Sequence, residues 1–217
     1  MDALANLLDG PRGRGAFLFR TVMEPPWSLR MDDGTPLGLV AVLTGTVWVE
    51  SPGGATREVP AGSVAVARGR DPVTLSSEPG LAPQVVCGPG GRRTDPDGTD
   101  LADRLRLGTR TWGNDPDGST VLLLGCYHLR GEISGRVVEA LPALLVLEPS
   151  TWSSPLVPLL AEEIGRDELG QQAVLDRLLD LLLVSVVRAW FARQGAEVPG
   201  WYAASLHPVA GPALRLL

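Results

Sequence analysis

From Leu37 to Ala67 the apolar positions fall into two short runs, Leu37–Val49 and Val64–Ala67. A Pro-Gly-Gly turn and the segment Val59-Pro60-Ala61-Gly62-Ser63 separate them. Val, Thr and Trp at alternating positions suit a pleated, half-buried strand. Gly45 breaks the first run, as glycine does at bulges and close backbone approaches. The same reading predicts strands over Phe17–Val22, Trp27–Arg30, Leu75–Ser77, Gln84–Cys87 and Thr120–Leu129, with a break at Pro25-Pro26 and a turn over Met31–Pro36. The pattern predicts a small antiparallel barrel.

After Gly135 the period becomes helical. Arg136–Leu147 has apolar residues at 137, 138, 141, 144 and 145, with Pro142 disturbing the helix. Ser154–Ile164 reads as a second helix, with Ser153 or Ser154 as N-cap and Pro155 near its first turn. Gln171–Arg193 is the longest. Its polar residues Asp176, Arg177, Asp180 and Arg188 leave only a narrow stripe, so it requires burial on two sides. A short amphipathic helix is predicted near the N-terminus, from apolar residues at 4, 7 and 8.

Between barrel and helices, residues 88–119 are rich in Gly, Asp and Arg and hold two Asp-Pro-Asp-Gly turns, at 95–98 and 115–118. This composition predicts an exposed, flexible loop. The four aspartates do not form a calcium loop: Pro96 and Pro116 make each a tight turn, and no downstream bidentate Glu is placed. The division expected is a barrel over 1–134, containing the loop, and a helical region over 135–217.

Composition narrows the function. The net charge of −6 argues against direct nucleic-acid binding by this stretch, which needs clustered cations. All 19 basic residues are Arg. Two cysteines, Cys87 and Cys126, make no disulfide framework. Without a signal peptide or an apolar run of about 18 residues, the expectation is a cytoplasmic protein with no membrane contact. No phosphate loop, dinucleotide fingerprint or Ser-His-Asp arrangement is present.

The strand, Gly45, second strand, turn and Pro60-Ala61-Gly62-Ser63-Val64 resemble a cupin core. Taken with Met1–Leu8, Pro26–Arg30, Ala61–Arg68 and the tail Leu206-His-Pro-Val-Ala-Gly-Pro-Ala-Leu214, nearly the whole chain resembles the N-terminal sensor domain of AraC-family transcriptional regulators. The resemblance implies an α+β fold, a jelly-roll barrel followed by a helical hairpin. It implies a small-molecule effector in the barrel, a homodimer, and contact with DNA only through a helix-turn-helix domain beyond residue 217. The apolar ending at Leu217 agrees with a chain cut from something longer. Many relatives carry two His and a Cys where this chain has Val40, Val73 and Leu124. Those side chains offer no metal ligand, so no metal, no cofactor and no catalytic residue is expected.

The candidate effector-binding residues are Trp27, Arg30, Val40, Trp48, Arg68, Trp112, Leu124, Cys126 and His128. If Leu124 faces inward, as its Cys counterpart does in the family, Cys126 and His128 share its face. They read as a displaced ligand or redox site, or as a buried thiol beside a satisfied His. Trp48, if in register with Val40, Val42 and Thr46, faces the interior as a stacking wall or as core. Trp27 and Trp112 carry the same alternatives, Trp112 as a lid. Arg30 and Arg68 are candidate carboxylate anchors or exposed strand ends. Leu179, Leu182, Leu183, Val186 and Trp190 form a dimer seam or pack within the monomer. Alternatives to the sensor are a redox-sensing or metal-independent cupin protein, a cupin enzyme such as an isomerase or dioxygenase, and a pure dimerisation module.

Overall fold

The computed structural model describes residues 17–53, 55–127, 138–193 and Gly200. Twelve strands precede two helices among these residues: β1 (Phe17–Met23), β2 (Ser28–Met31), β3 (Leu37–Thr44), β4 (Thr46–Glu50), β5 (Thr56–Pro60), β6 (Val64–Arg68), β7 (Val73–Ser76), β8 (Val85–Cys87), β9 (Arg93–Thr94), β10 (Thr111–Gly113), β11 (Thr120–Tyr127) and β12 (Leu144–Leu147), then α1 (Leu156–Glu163) and α2 (Gln171–Phe191). They form two six-stranded sheets, ordered β10-β1-β11-β3-β6-β12 and β5-β4-β7-β2-β8-β9. The α+β class and cupin-like barrel agree with the sequence. The barrel is not purely antiparallel: β1 runs parallel to β10, and β2 parallel to β8.

The first sheet is buried on both faces. Met23, Val42, Ala65, Leu122, Leu124 and Val146 face the second sheet, where Trp27, Leu29, Val47, Val49, Val59 and Leu75 meet them. Leu39, Ala41, Val64, Val66, Leu123, Tyr127, Leu145 and Leu147 point the other way, against Leu160 of α1 and Leu175, Leu179, Leu182, Leu183 and Val186 of α2. Double burial makes the strand sequences near-continuously apolar. That is why Leu144–Leu147, expected to be helical, is strand β12: Leu-Leu-Val-Leu has no alternation to distinguish strand from helix. Its pairing with β6 carries the sheet past residue 134.

Gly45 decides the orientation of β4. Its φ of +76° sits in the left-handed region, and a Cβ there would lie 2.8 Å from Thr120 Oγ1. The kink inverts the inside–outside parity between β3 and β4. Val42 faces in, then Val47 and Val49; Trp48 is half-buried on the opposite face.

The segment 88–119, expected to be exposed, folds against the barrel. It contributes β9, β10 and a 3-10 turn at Pro89–Gly91, and buries Leu105 and Trp112 in the interior cluster. Both Asp-Pro-Asp-Gly turns form. Asp95 Oδ1 accepts the Asp97 and Thr99 amides, at 3.0 and 2.8 Å, and Asp115 Oδ1 accepts that of Asp117 at 2.9 Å. At α1, Pro155 occupies the N-cap itself, and Ser154 Oγ accepts the Leu156 amide at 3.3 Å. No described helix is long and apolar enough to cross a membrane. The predicted N-terminal helix lies outside the described residues.

Candidate functional site

The interior cluster borders a space walled by Phe19, Met31, Trp112 and Leu124 together with Asp33, Thr35, Cys87 and Cys126. Two adjoining cavities open there. One, of about 80 Å³, is bounded by Phe19 of β1, Cys87 at the end of β8, the Gly88–Arg93 turn and Trp112 of β10. The other, of about 50 Å³, is lined by Val40, Val49, Ala65, Val73, Leu75 and Leu144. Met31, Asp33, Thr35, Leu124 and Cys126 belong to both walls.

Asp33 is the polar centre of the shared wall. Its Oδ1 accepts the Thr35 amide at 2.9 Å and the Thr35 hydroxyl at 2.7 Å. Its Oδ2 accepts the Cys126 thiol at 2.9 Å. Burial pushes the Cys126 thiol pKa up, and the bond to Asp33 pushes it further in the same direction. Burial raises Cys87 to about 12, against a small opposing pull from Arg93. Both thiols are free and held protonated, which removes the thiolate that redox or nucleophilic chemistry requires.

Two consequences follow for the thiols. At pH 8, iodoacetamide should alkylate Cys87 and Cys126 at least about tenfold more slowly in the folded chain than in urea. Stability should also fall as pH rises above 9: an unfolded Cys87 ionises near 9.0, whereas the folded one holds its proton to about 12. Urea midpoints at pH 8 and pH 10 measure this, and equal midpoints would contradict it.

Arg93 closes the first cavity. Its Cζ lies 4.8 Å from the Phe19 ring centroid and 4.5 Å from that of Trp112. Partial burial lowers its pKa. No hydrogen bond or ion pair of its guanidinium is present among the described residues; the rings are what it rests on.

Of the residues singled out by sequence, Val40, Trp112, Leu124 and Cys126 line the cavities. Trp27 is wholly buried between the sheets, lines neither cavity, and its indole Nε1 has no hydrogen-bond partner among the described residues. Trp48 is turned away by the Gly45 kink. Arg30 is exposed and pairs with Asp32 at 3.2 Å, and Arg68 is exposed at the end of β6; neither reaches the cavity. His128 lies outside the described residues. Leu179, Leu182, Leu183 and Val186 are buried against the sheet of their own chain, while Trp190 is half-buried under Arg193, 5.4 Å from its ring.

Sequence reasoning missed Phe19, Met31, Asp33, Thr35 and Arg93. Asp33 and Thr35 look like ordinary turn residues, and Arg93 sits in a Gly-rich stretch whose composition suggests solvent. No periodicity marks them. Among the described residues, no three or more His, Cys, Asp or Glu side chains converge as a metal site.

The profile of a family described as Cupin matches residues 2–192. No curated protein matches significantly. Among solved structures, an apo form of a point-substituted ToxT from Vibrio cholerae is similar at a TM-score of 0.41 and 9% identity, covering 80% of this chain and 55% of that one. A wild-type ToxT bound to an unsaturated fatty acid is similar at 0.37 and 10%, covering 78% and 51%. A third ToxT structure from the same organism is similar at 0.38 and 9%, covering 85% and 59%. The chain spans just over half the length of these structures.

Proposed function

The chain belongs to the cupin family, and on that premise we propose that it is the effector-sensing and dimerisation part of an AraC-type transcriptional regulator. A small molecule enters the barrel mouth and biases a helical layer that positions a helix-turn-helix domain outside this stretch. The protein works as a cytoplasmic homodimer, without a cofactor and without catalysis.

One observation carries the reading. Strand β11 presents Leu124 and Cys126 to the cavities and Gly125 and Tyr127 to α2. A Cβ on Gly125 would sit 3.0 Å from Leu179 Cδ1, and Tyr127 Oη donates to Leu179 O at 2.7 Å. A single strand therefore joins the ligand space to the helices. A ligand shifts such a system only through different affinities for its two states.

The cupin-enzyme alternative has less support. Val40 and Val73, at the positions where the resembled family often has His, both form cavity wall. The redox alternative meets two protonated thiols.

A thermal-shift screen of the protein against a metabolite library tests the proposal. A ligand at a hundredfold excess over Kd adds about 2.7 kcal/mol, or roughly 5–10 °C for a chain of this size. The expected result is a selective hit that Leu124→Trp, or the smaller filling Val40→Phe, abolishes. Hits indifferent to both substitutions, or no hit at all, would overturn it.

A further inference from the structure

Beyond the Phe19–Arg93–Trp112 partition lies a groove of about 500 Å³, lined by the same three residues together with Arg106, Arg110 and Thr111. Its volume is in the range that holds a small organic ligand, whereas the inner cavities each hold only a few atoms. Its charge is opposite to that of the chain. In a protein of net charge −6, three guanidinium groups converge on one groove.

Little neutralises them. Arg106 pairs with Asp103 at 3.3 Å, through side chains that are both largely exposed, an arrangement of small worth. Arg110 donates from Nε to Gln171 Oε1 at 3.1 Å and from its terminal nitrogen to Gln172 Oε1, both neutral acceptors. Arg93 rests on ring faces alone among the described residues. Arg93 and Arg110, held by rings and neutral amides rather than carboxylates, beside two aromatic rings, match the chemistry of an anion joined to a planar body.

We propose that this groove binds a small organic anion with a planar apolar body, its charge met by Arg93, Arg106 and Arg110 and its planar body beside the Arg93–Trp112 stack, and that Arg110 reports its occupancy to α2. The inference rests on the reading of the chain as a sensor and adds a second ligand site to the inner cavities, on the far side of Arg93. The route to α2 is visible in the side chains. Gln171, held by Arg110, donates through Nε2 to Glu163 O at 2.9 Å, across the α1–α2 connection. An anion competes with these amides for Arg110, because a charge-assisted bond is the stronger.

Titration calorimetry with 2-naphthoate, its neutral analogue 2-naphthamide and inorganic phosphate is the test. Naphthoate should bind about tenfold tighter than naphthamide or phosphate. Arg93→Gln should remove most of that difference and leave naphthamide unchanged. Arg106→Gln, at an exposed position where folding is not at risk, should weaken naphthoate several-fold. Naphthoate should also speed amide exchange over residues 172–176, and Arg110→Gln should abolish that change. Equal binding of naphthoate and naphthamide, or naphthoate affinity unmoved by both Arg93→Gln and Arg106→Gln, would overturn the anion site. Unaltered exchange would overturn the role of Arg110. The two readings fail separately: library hits lost in Leu124→Trp but kept in Arg93→Gln leave the sensor standing without this groove. Arginine-dependent naphthoate binding with an empty screen leaves the groove standing without the sensor.

Discussion

Replacing Gly113 with alanine is expected to cost about 3 kcal/mol or more, among the largest effects of any single added methyl in this chain. Strand β10 lies parallel to β1 with Gly113 opposite Val22. A Cβ on Gly113 would overlap Val22 O and fall 2.7 Å from its carbonyl carbon. These are backbone atoms of a paired strand, so no rotamer change relieves the clash and β10 must move away. The move would pull Gly113 N from Leu105 O, its acceptor at 2.9 Å, and Trp112 from the Arg93 stack. At about 2–4 °C per kcal/mol for a chain of this size, the melting temperature should drop by roughly 10 °C. Gly38→Ala is the control. It lies within β3 with nothing inside 4 Å of the added carbon, and should shift stability by less than about 1 kcal/mol, towards greater stability. A Gly113→Ala protein as stable as Gly38→Ala would show that β10 is not held against β1 in this register.

The clash also shows where the sequence was silent. Strands β3 and β6 are legible because β-branched runs end at Gly45 and at Pro60-Ala61-Gly62, which are local signals. The parallel contact of β10 with β1 joins residues about 90 positions apart through three residues, Thr-Trp-Gly, in a stretch whose average composition suggests solvent. Trp48 is a failure of a different kind. Alternation carried through Gly45 puts Trp48 inside, whereas the positive φ of that glycine inverts the parity. Leu144–Leu147 fails because burial on two faces erases alternation. The site divides the same way. Leu124 and Cys126 follow from strand parity once β11 is placed, whereas Arg93 depends on two rings, from β1 and β10, that meet only in three dimensions. Arg30 and Arg68 have the chemistry of carboxylate anchors, and the fold leaves both exposed, away from the cavities.

The helices supply the second large effect, and neighbouring residues isolate its cause. Leu182 is wholly buried against the sheet, while Leu181 is 47% exposed. Leu182→Ala should destabilise by about 3 kcal/mol, within the 2–5 kcal/mol typical of buried leucines, because the β-sheet face beneath cannot collapse into the space. Leu181→Asp should change folding stability by less than about 1 kcal/mol. The periodicity of α2 could not separate these roles, because a helix apolar over most of its circumference assigns no face to the core. The sheet takes Leu175, Leu179, Leu182 and Val186, and leaves Val174 and Leu181, two turns apart, on the outer side. If the proposed homodimer forms through α2, its seam runs along that outer stripe rather than through the buried leucines. Light scattering on Leu181→Asp should then show half the wild-type mass, with a urea midpoint that no longer depends on protein concentration. Leu182→Ala should lose midpoint and keep its mass until it unfolds. A Leu181→Asp protein that keeps the wild-type dimer mass would remove α2 from the interface, and the helical layer would then act within one chain.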